Sequence, residues 1–204
     1  MTSYADYLFL LSPPEPVKEL IGKYKKASVK HIGMFKSMDA PAHISVVHLE
    51  RQKPFFADQT LTRVEQAVAI MPPVLLHLDG FKFFTHLHSQ YTIYGHIRIT
   101  PAVDAWFGLL RKNLGIKKML VPHITVVRNV PEADFNTLWP HFRHKKVVEP
   151  FWIKELKIVR RETFGSYPKW EPFKTIRFRG IKGLEYETGP DKEPEEVIKQ
   201  INLF

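Results

Sequence analysis

Residues 42–49 read AHISVVHL, and residues 119–128 read MLVPHITVVR. Both runs are short and rich in β-branched residues, which marks them as strands. Side chains alternate faces along a strand, so His43 and Ser45 point one way while Ile44 and Val46 point the other. The second run repeats this with His123 and Thr125 on one face and Ile124 and Val126 on the other. Each strand therefore offers an imidazole and a hydroxyl together, anchored from behind by an apolar pair. In a chain with 10 histidines, one such tetrapeptide is expected by chance roughly 0.2 times and two roughly 0.02 times. Two copies carry weight that one would not.

Working outward, the elements around each copy repeat. Residues 4–11 read as a buried strand, and Pro13, Pro14 and Pro16 stop it and open a basic amphipathic helix from Val17 to about Val29. Its inward positions are Val17, Leu20, Ile21 and Tyr24. After the strand at 42–49 a helix is expected over 58–71, then strands at 74–84 and 91–99 joined by a polar loop. Pro101 opens a helix that Gly115 closes, and the strand at 119–128 leads into a helix from Pro131 to about His144. Strands at 152–161 and 172–180 follow, then a charged stretch at 182–204 with one weak helix near Glu193–Ile201. The predicted order is β-α-β-α-β-β-α-β-α-β-β, a duplication with a unit of about 80 residues. Strands that return as hairpins point to an α+β class, with antiparallel sheets and helices outside. A single domain is expected over 1–181, with motif-bearing halves at about 1–88 and 89–181 and a peripheral tail at 182–204.

The chemistry follows from the residue types. Cleaving a ribose phosphodiester needs a base to activate water or a 2′-hydroxyl and an acid to protonate the leaving alkoxide. Histidine holds either role near neutrality, and Ser and Thr hydroxyls can donate to phosphoryl oxygens. Two core histidines bonded to neighbouring strands are the bland alternative, which gives no reason for the paired hydroxyls.

The two motifs, and above all Pro122-His123-Ile124-Thr125-Val126-Val127-Arg128, resemble the 2H phosphoesterase superfamily, specifically its 2′-5′ RNA ligase-like and cyclic phosphodiesterase members. The resemblance covers about residues 4–181. It implies a pseudo-two-fold bilobal fold around a central cleft, with His43 and His123 catalytic, Ser45 and Thr125 binding phosphate, and Arg128 assisting them. It also implies no metal or other cofactor. Ser45 stands where Thr is more usual in the family, and the hydroxyl is retained. Arg128 lies five residues after His123, so ideal alternation turns it away from the cleft. It reaches a phosphate only where the strand bulges, twists or ends before it.

Composition bounds the rest. There is no cysteine, which excludes disulfides and thiolate chemistry. Met1–Asp6 lacks a basic signal region and the apolar stretch Tyr7–Leu11 is too short to span a bilayer, so a cytoplasmic, membrane-free monomer is expected. The net charge of +9 favours an anionic partner, here RNA or a ribonucleotide. Lys23-Tyr24-Lys25-Lys26 and Arg143-His144-Lys145-Lys146 are read as solvated helix faces that could steer RNA. His48, His86, His88 and His96 lack the converging partners of a zinc site and read as solvated sheet-face residues. Phe164 and Tyr167, with Trp170, fall in a loop near Arg160-Arg161 where an aromatic could stack a base. No glycine-rich phosphate loop is present. The expected activity is metal-independent hydrolysis of 2′,3′-cyclic or 2′-5′ ribonucleotide phosphodiesters, with reversible 2′-5′ ligation open. A non-catalytic RNA-end or nucleotide-binding module is the alternative.

Overall fold

The computed structural model describes residues 4–164 and 169–180. The first half of the chain runs β1 (Ala5–Leu11), α1 (Glu15–Ile32), β2 (Ile44–Gln52), α2 (Pro54–Ala69) and β3 (Val74–His86). A single 3-10 turn, Leu87–Ser89, leads into β4 (Gln90–Ile97), α3 (Pro101–Asn113), β5 (His123–Pro131) and α4 (Glu132–Phe142). Three strands close it: β6 (Val148–Ile153), β7 (Glu155–Glu162) and β8 (Glu171–Arg177). The expected tail at 182–204, with its weak helix, lies outside the described residues.

Helix starts are set locally. Pro16 sits in the first turn of α1, where its missing N–H costs nothing, and Glu15 and Lys30 complement the helix dipole at opposite ends. Thr100 caps α3 by accepting from the Val103 N–H at 3.3 Å. Gly33 ends α1 at φ 72°, a conformation that costs glycine little.

The eight strands form one sheet in the order β6-β3-β4-β5-β2-β1-β7-β8, every pair antiparallel. Its centre is a seam. β2 and β5 share one register pair, Ile44 with Ile124, whereas the other neighbours run alongside for several residues. Each side of the seam is a four-stranded array, β5-β4-β3-β6 on one side and β2-β1-β7-β8 on the other. The registers match across it. Leu10 opposes Ser45 and Phe9 opposes Val47 on one side; Tyr94 opposes Thr125 and Ile93 opposes Val127 on the other.

One expectation is corrected. The continuous run at 152–161, read as a single strand, breaks at Lys154 into β6 and β7. β6 pairs with β3 and β7 with β1, on opposite sides of the seam. No glycine or proline marks the break, because strand propensity is continuous there and tertiary pairing decides it. The helices pack around one apolar core: α1 lies against β5 and α4, and α3 against α2 and β3. Ile44, Ile124, Val126, Leu76 and Leu110 sit within that core, fully buried.

Candidate active site

The seam decides where the two motifs lie. Ile44 and Ile124 are fully buried and face each other, so the residues flanking them in sequence turn to the opposite face of the sheet. His43, Ser45, His123 and Thr125 are all half-buried there, and together with Arg128 they line one cleft of about 420 Å³. Five of the residues singled out from sequence thus meet in one place.

Each imidazole is held the same way. Nδ1 of His43 lies 2.8 Å from the Pro41 carbonyl, and Nδ1 of His123 lies 2.8 Å from the Val121 carbonyl. A carbonyl can only accept, so Nδ1 carries the hydrogen in each ring and Nε2 is the basic nitrogen of the neutral form. Both histidines titrate below the usual 6.5. Burial is the main cause at His43; the Pro41 carbonyl opposes it, and Lys25, His123 and Arg128 add repulsion. At His123 burial again leads, opposed by the Val121 carbonyl and reinforced by Arg128.

Arg128 reaches the cleft because β5 bulges. From Ile93 to Tyr94 the partner strand advances one residue while β5 advances from Val127 to Thr125. Val126 and Val127 are in consequence both buried, the alternation resets, and Arg128 emerges on the histidine face. β2 carries the same irregularity, between the pairs Phe9–Val47 and Leu10–Ser45. The residue this brings out is His48, five after His43 as Arg128 is five after His123. His48 does not line the cleft; its Nδ1 lies 3.3 Å from Glu50 and its ring meets Trp170 edge-on.

Several residues that line the cleft, Phe84 among them, or support it from behind, as Tyr94 does, were not singled out as part of this site. Tyr94, nearly buried, stacks on Phe84 at 4.2 Å, and the His123 ring stands edge-on to both. Tyr94 sits opposite Thr125, where the first half has Leu10. His86, read as a solvated sheet-face residue, lines the cleft with its Nε2 2.9 Å from Thr92 Oγ1. The backbone N–H of Asn129, a left-handed residue at φ 51°, donates to the same hydroxyl at 3.2 Å. The largest correction is Lys25. Within a cluster read as a solvated face, it is 4% exposed and lines the cleft, its Nζ donating to the carbonyls of Ser37 at 2.8 Å and Ala40 at 2.6 Å. The signal was in the spacing: Val17, Ile21, Lys25 and Ser28 form the buried stripe of α1, and a lysine on such a stripe is out of place.

The remaining candidates are apart from the cleft. Phe164 is exposed, meets Tyr4 edge-on and does not line the cavity, and Tyr167 lies outside the described residues. Arg161 lies over the Trp170 ring at 4.6 Å while its guanidinium pairs with Asp6. His96 is 3.1 Å from Lys82 Nζ, and His88 sits in the 3-10 turn at φ 59°. Among the described residues no three His, Asp or Glu side chains are grouped to hold a metal, and no helix is long and apolar enough to cross a membrane.

Comparison with known proteins agrees with this geometry. A Geobacillus kaustophilus protein named "Putative phosphoesterase" is 21% identical over 175 residues, covering 82% of this chain and 94% of its own. The fold is shared with Escherichia coli LigT in complex with 3′-AMP, at a TM-score of 0.60 and 14% identity over 86% of this chain and 98% of that one. It is likewise shared with protein TT0787 of Thermus thermophilus, at a TM-score of 0.61, 14% identity and the same coverage of 86% and 98%. The model of the 2′-5′ RNA ligase superfamily matches residues 13–164, a span that contains both histidine motifs and the bulged strands that carry them. The chain belongs to the 2′-5′ RNA ligase superfamily of 2H phosphoesterases.

Proposed function

We propose that this protein is a metal-independent phosphodiesterase that hydrolyses 2′,3′-cyclic or 2′-5′-linked ribonucleotide phosphodiesters, with His43 and His123 as its acid–base pair. The observation that carries this reading is the matched pair of rings, each donating from Nδ1 to a backbone carbonyl two residues back and both lining one cleft. One Nε2 takes a proton from the attacking water as it bonds to phosphorus; the other ring, protonated, gives its proton to the departing ribose oxygen as that P–O bond breaks. Ser45, Thr125 and Arg128 donate to the phosphoryl oxygens as charge develops.

Both rings are held neutral in the free protein, so the acid gains its proton in the company of the substrate's anionic phosphate. Arg128 lies near both rings, Lys25 adds its charge beside His43, and the two rings repel each other when both are protonated. The two rings are held alike, so either can serve as base while the other serves as acid. A 5′-hydroxyl in place of water, giving its proton to the base as it bonds to phosphorus while the cyclic ester's 3′-oxygen leaves with a proton from the acid, is the chemistry of a 2′-5′ ligation.

The related LigT structures contain 3′-AMP, phosphate, NADP+ and ATP. Those ligands support a nucleotide or RNA-end substrate here, as does the excess of basic residues. A panel of 2′,3′-cyclic nucleotides and 2′-5′ dinucleotides, incubated with the protein in EDTA, tests the proposal. Product from the wild type and none from a His43→Ala, His123→Ala variant is expected. Equal turnover by the two proteins ends it.

A further inference from the structure

We propose that Lys25 and Ser37 form an oxyanion subsite on the His43 side of the cleft, which holds a non-bridging oxygen of the phosphoryl group. The inference rests on the phosphodiesterase reading and adds to its anion-binding set two residues from α1 and the loop after it.

The first ground is a charge in an expensive place. An ammonium taken out of water is costly unless it is paired or fully bonded. Lys25 is 4% exposed, and two of its three N–H groups go to the neutral carbonyls of Ser37 and Ala40. Burial lowers its pKa, and the charge of Asp39 opposes that. Lys25 lines the cleft, where its remaining N–H has an anion to meet.

The second ground is independent. Ser37 is 7% exposed and lines the same cleft, yet among the described residues its Oγ has no hydrogen-bond partner. A buried hydroxyl left unbonded costs free energy that a ligand can recover. The Ser37 carbonyl accepts from Lys25, so α1 and the loop after it bring the ammonium and the hydroxyl side by side.

The third ground is the broken symmetry of the seam. Arg128 brings a guanidinium to the cleft from the β5 bulge, but its counterpart His48 is turned to Glu50 and Trp170. The cation missing from the first half of the sheet is supplied instead by the helix above it.

The test is binding of inorganic phosphate, by calorimetry, to the wild type, Ser37→Ala and Lys25→Met, with hydrolysis of the cyclic nucleotide panel measured alongside. Ser37→Ala removes no bond in the free protein, so its melting temperature should hold while its phosphate affinity falls roughly tenfold. Lys25→Met should lose more, and where it fails to fold, Ser37→Ala decides. Phosphate affinity unchanged in Ser37→Ala and in a folded Lys25→Met overturns the subsite, as does a wild type that binds no phosphate. The two readings separate cleanly. Hydrolysis that needs His43 and His123, with phosphate affinity indifferent to Ser37 and Lys25, sinks the subsite alone; phosphate binding that depends on both, in a protein that turns over none of the panel, sinks the phosphodiesterase alone.

Discussion

Ile44 of β2 lies directly opposite Ile124 of β5, and this is the register pair that joins the two sides of the sheet. Both side chains are fully buried, so the seam is fixed from behind by the core while its front face carries the histidines. Neither imidazole is a core residue; both line the cleft, so removing either widens the cleft rather than hollowing the core. His43→Ala and His123→Ala are therefore expected to melt close to the wild type and to lose about 10²–10⁴-fold in kcat against a cyclic nucleotide. Because acid and base act in one step, the double variant should be little worse than the weaker single one. Multiplicative losses measured in a double-mutant cycle would argue that the rings act independently.

The titration of the two rings gives a second prediction. Both fold with pKa values below 6.5, the usual value and the one expected of the unfolded chain. Between the folded values and 6.5 the unfolded chain binds more protons, so stability is lost as pH falls through that window, and above it the two rings contribute no slope. NMR titration of the free protein should place both ring midpoints below 6.5, and adding phosphate should move at least one of them upward. A midpoint above 6.5 for either ring in the free protein contradicts the arrangement.

How much of this is legible in the sequence depends on range. The motif strands and four helices can be read because their signals are local: β-branched alternation at 42–49 and 119–128, proline at the starts of α1, α3 and α4, and apolar spacing in α2, which begins at Pro54 rather than at the expected 58. Two features resist. The division at Lys154 depends on β6 and β7 finding different partners, which no local propensity encodes. Lys25 resembles several surface lysines, and only its place on the stripe with Val17 and Ile21 distinguishes it. Arg128 lies between these cases. A bulge is needed for it to reach the cleft, and two successive buried valines, Val126 and Val127, supply one.

That bulge makes Arg128 testable apart from the histidines. A guanidinium on a phosphoryl group is a charged, directional contact, and its loss should cost about 1.5–3 kcal/mol of transition-state binding, roughly 10- to 100-fold in kcat/KM. Arg128→Lys should recover part of this, since the charge returns without the fork. Stability should be unaffected, because Arg128 is exposed. An Arg128→Ala protein with wild-type kcat/KM would falsify the assignment of Arg128 to the phosphate.

Asp6 carries a stability prediction on the far side of the seam. Its carboxylate, 4% exposed, accepts from the Arg51 N–H at 3.0 Å, Thr163 Oγ1 at 2.8 Å and Arg161 Nε at 2.9 Å, and so ties β1 to the residues of β2 and β7 beside it. Burial alone would raise its pKa; the bonds from Arg51, Thr163 and Arg161 outweigh it and hold the carboxyl below 3.8. Its contribution is therefore present above that value and lost as pH falls through the folded one. Asp6→Ala leaves three donors short of a partner and should cost about 2–4 kcal/mol in urea denaturation. A change under about 0.5 kcal/mol would show that the cluster does not tie the strands together.

Gly95 tests the packing beneath the site. It lies on β4 between Phe81 and Ile124 in register, next to Tyr94, whose ring supports His123. A Cβ at this position would come 2.5 Å from Leu78 Cδ1 and 3.5 Å from Ile21 Cδ1. Both neighbours are fully buried, so their shift disturbs the packing around them, and Gly95→Ala should destabilise the protein by about 1–3 kcal/mol. Leu78→Ala alone should cost about 2–5 kcal/mol through the cavity it leaves. Combined, the new methyl occupies part of that cavity, and the double variant should be more stable than the sum of the two by at least about 0.5 kcal/mol. Additive losses in chemical denaturation would mean that β4 and Leu78 move apart freely, and that the floor under His123 is softer than this packing requires.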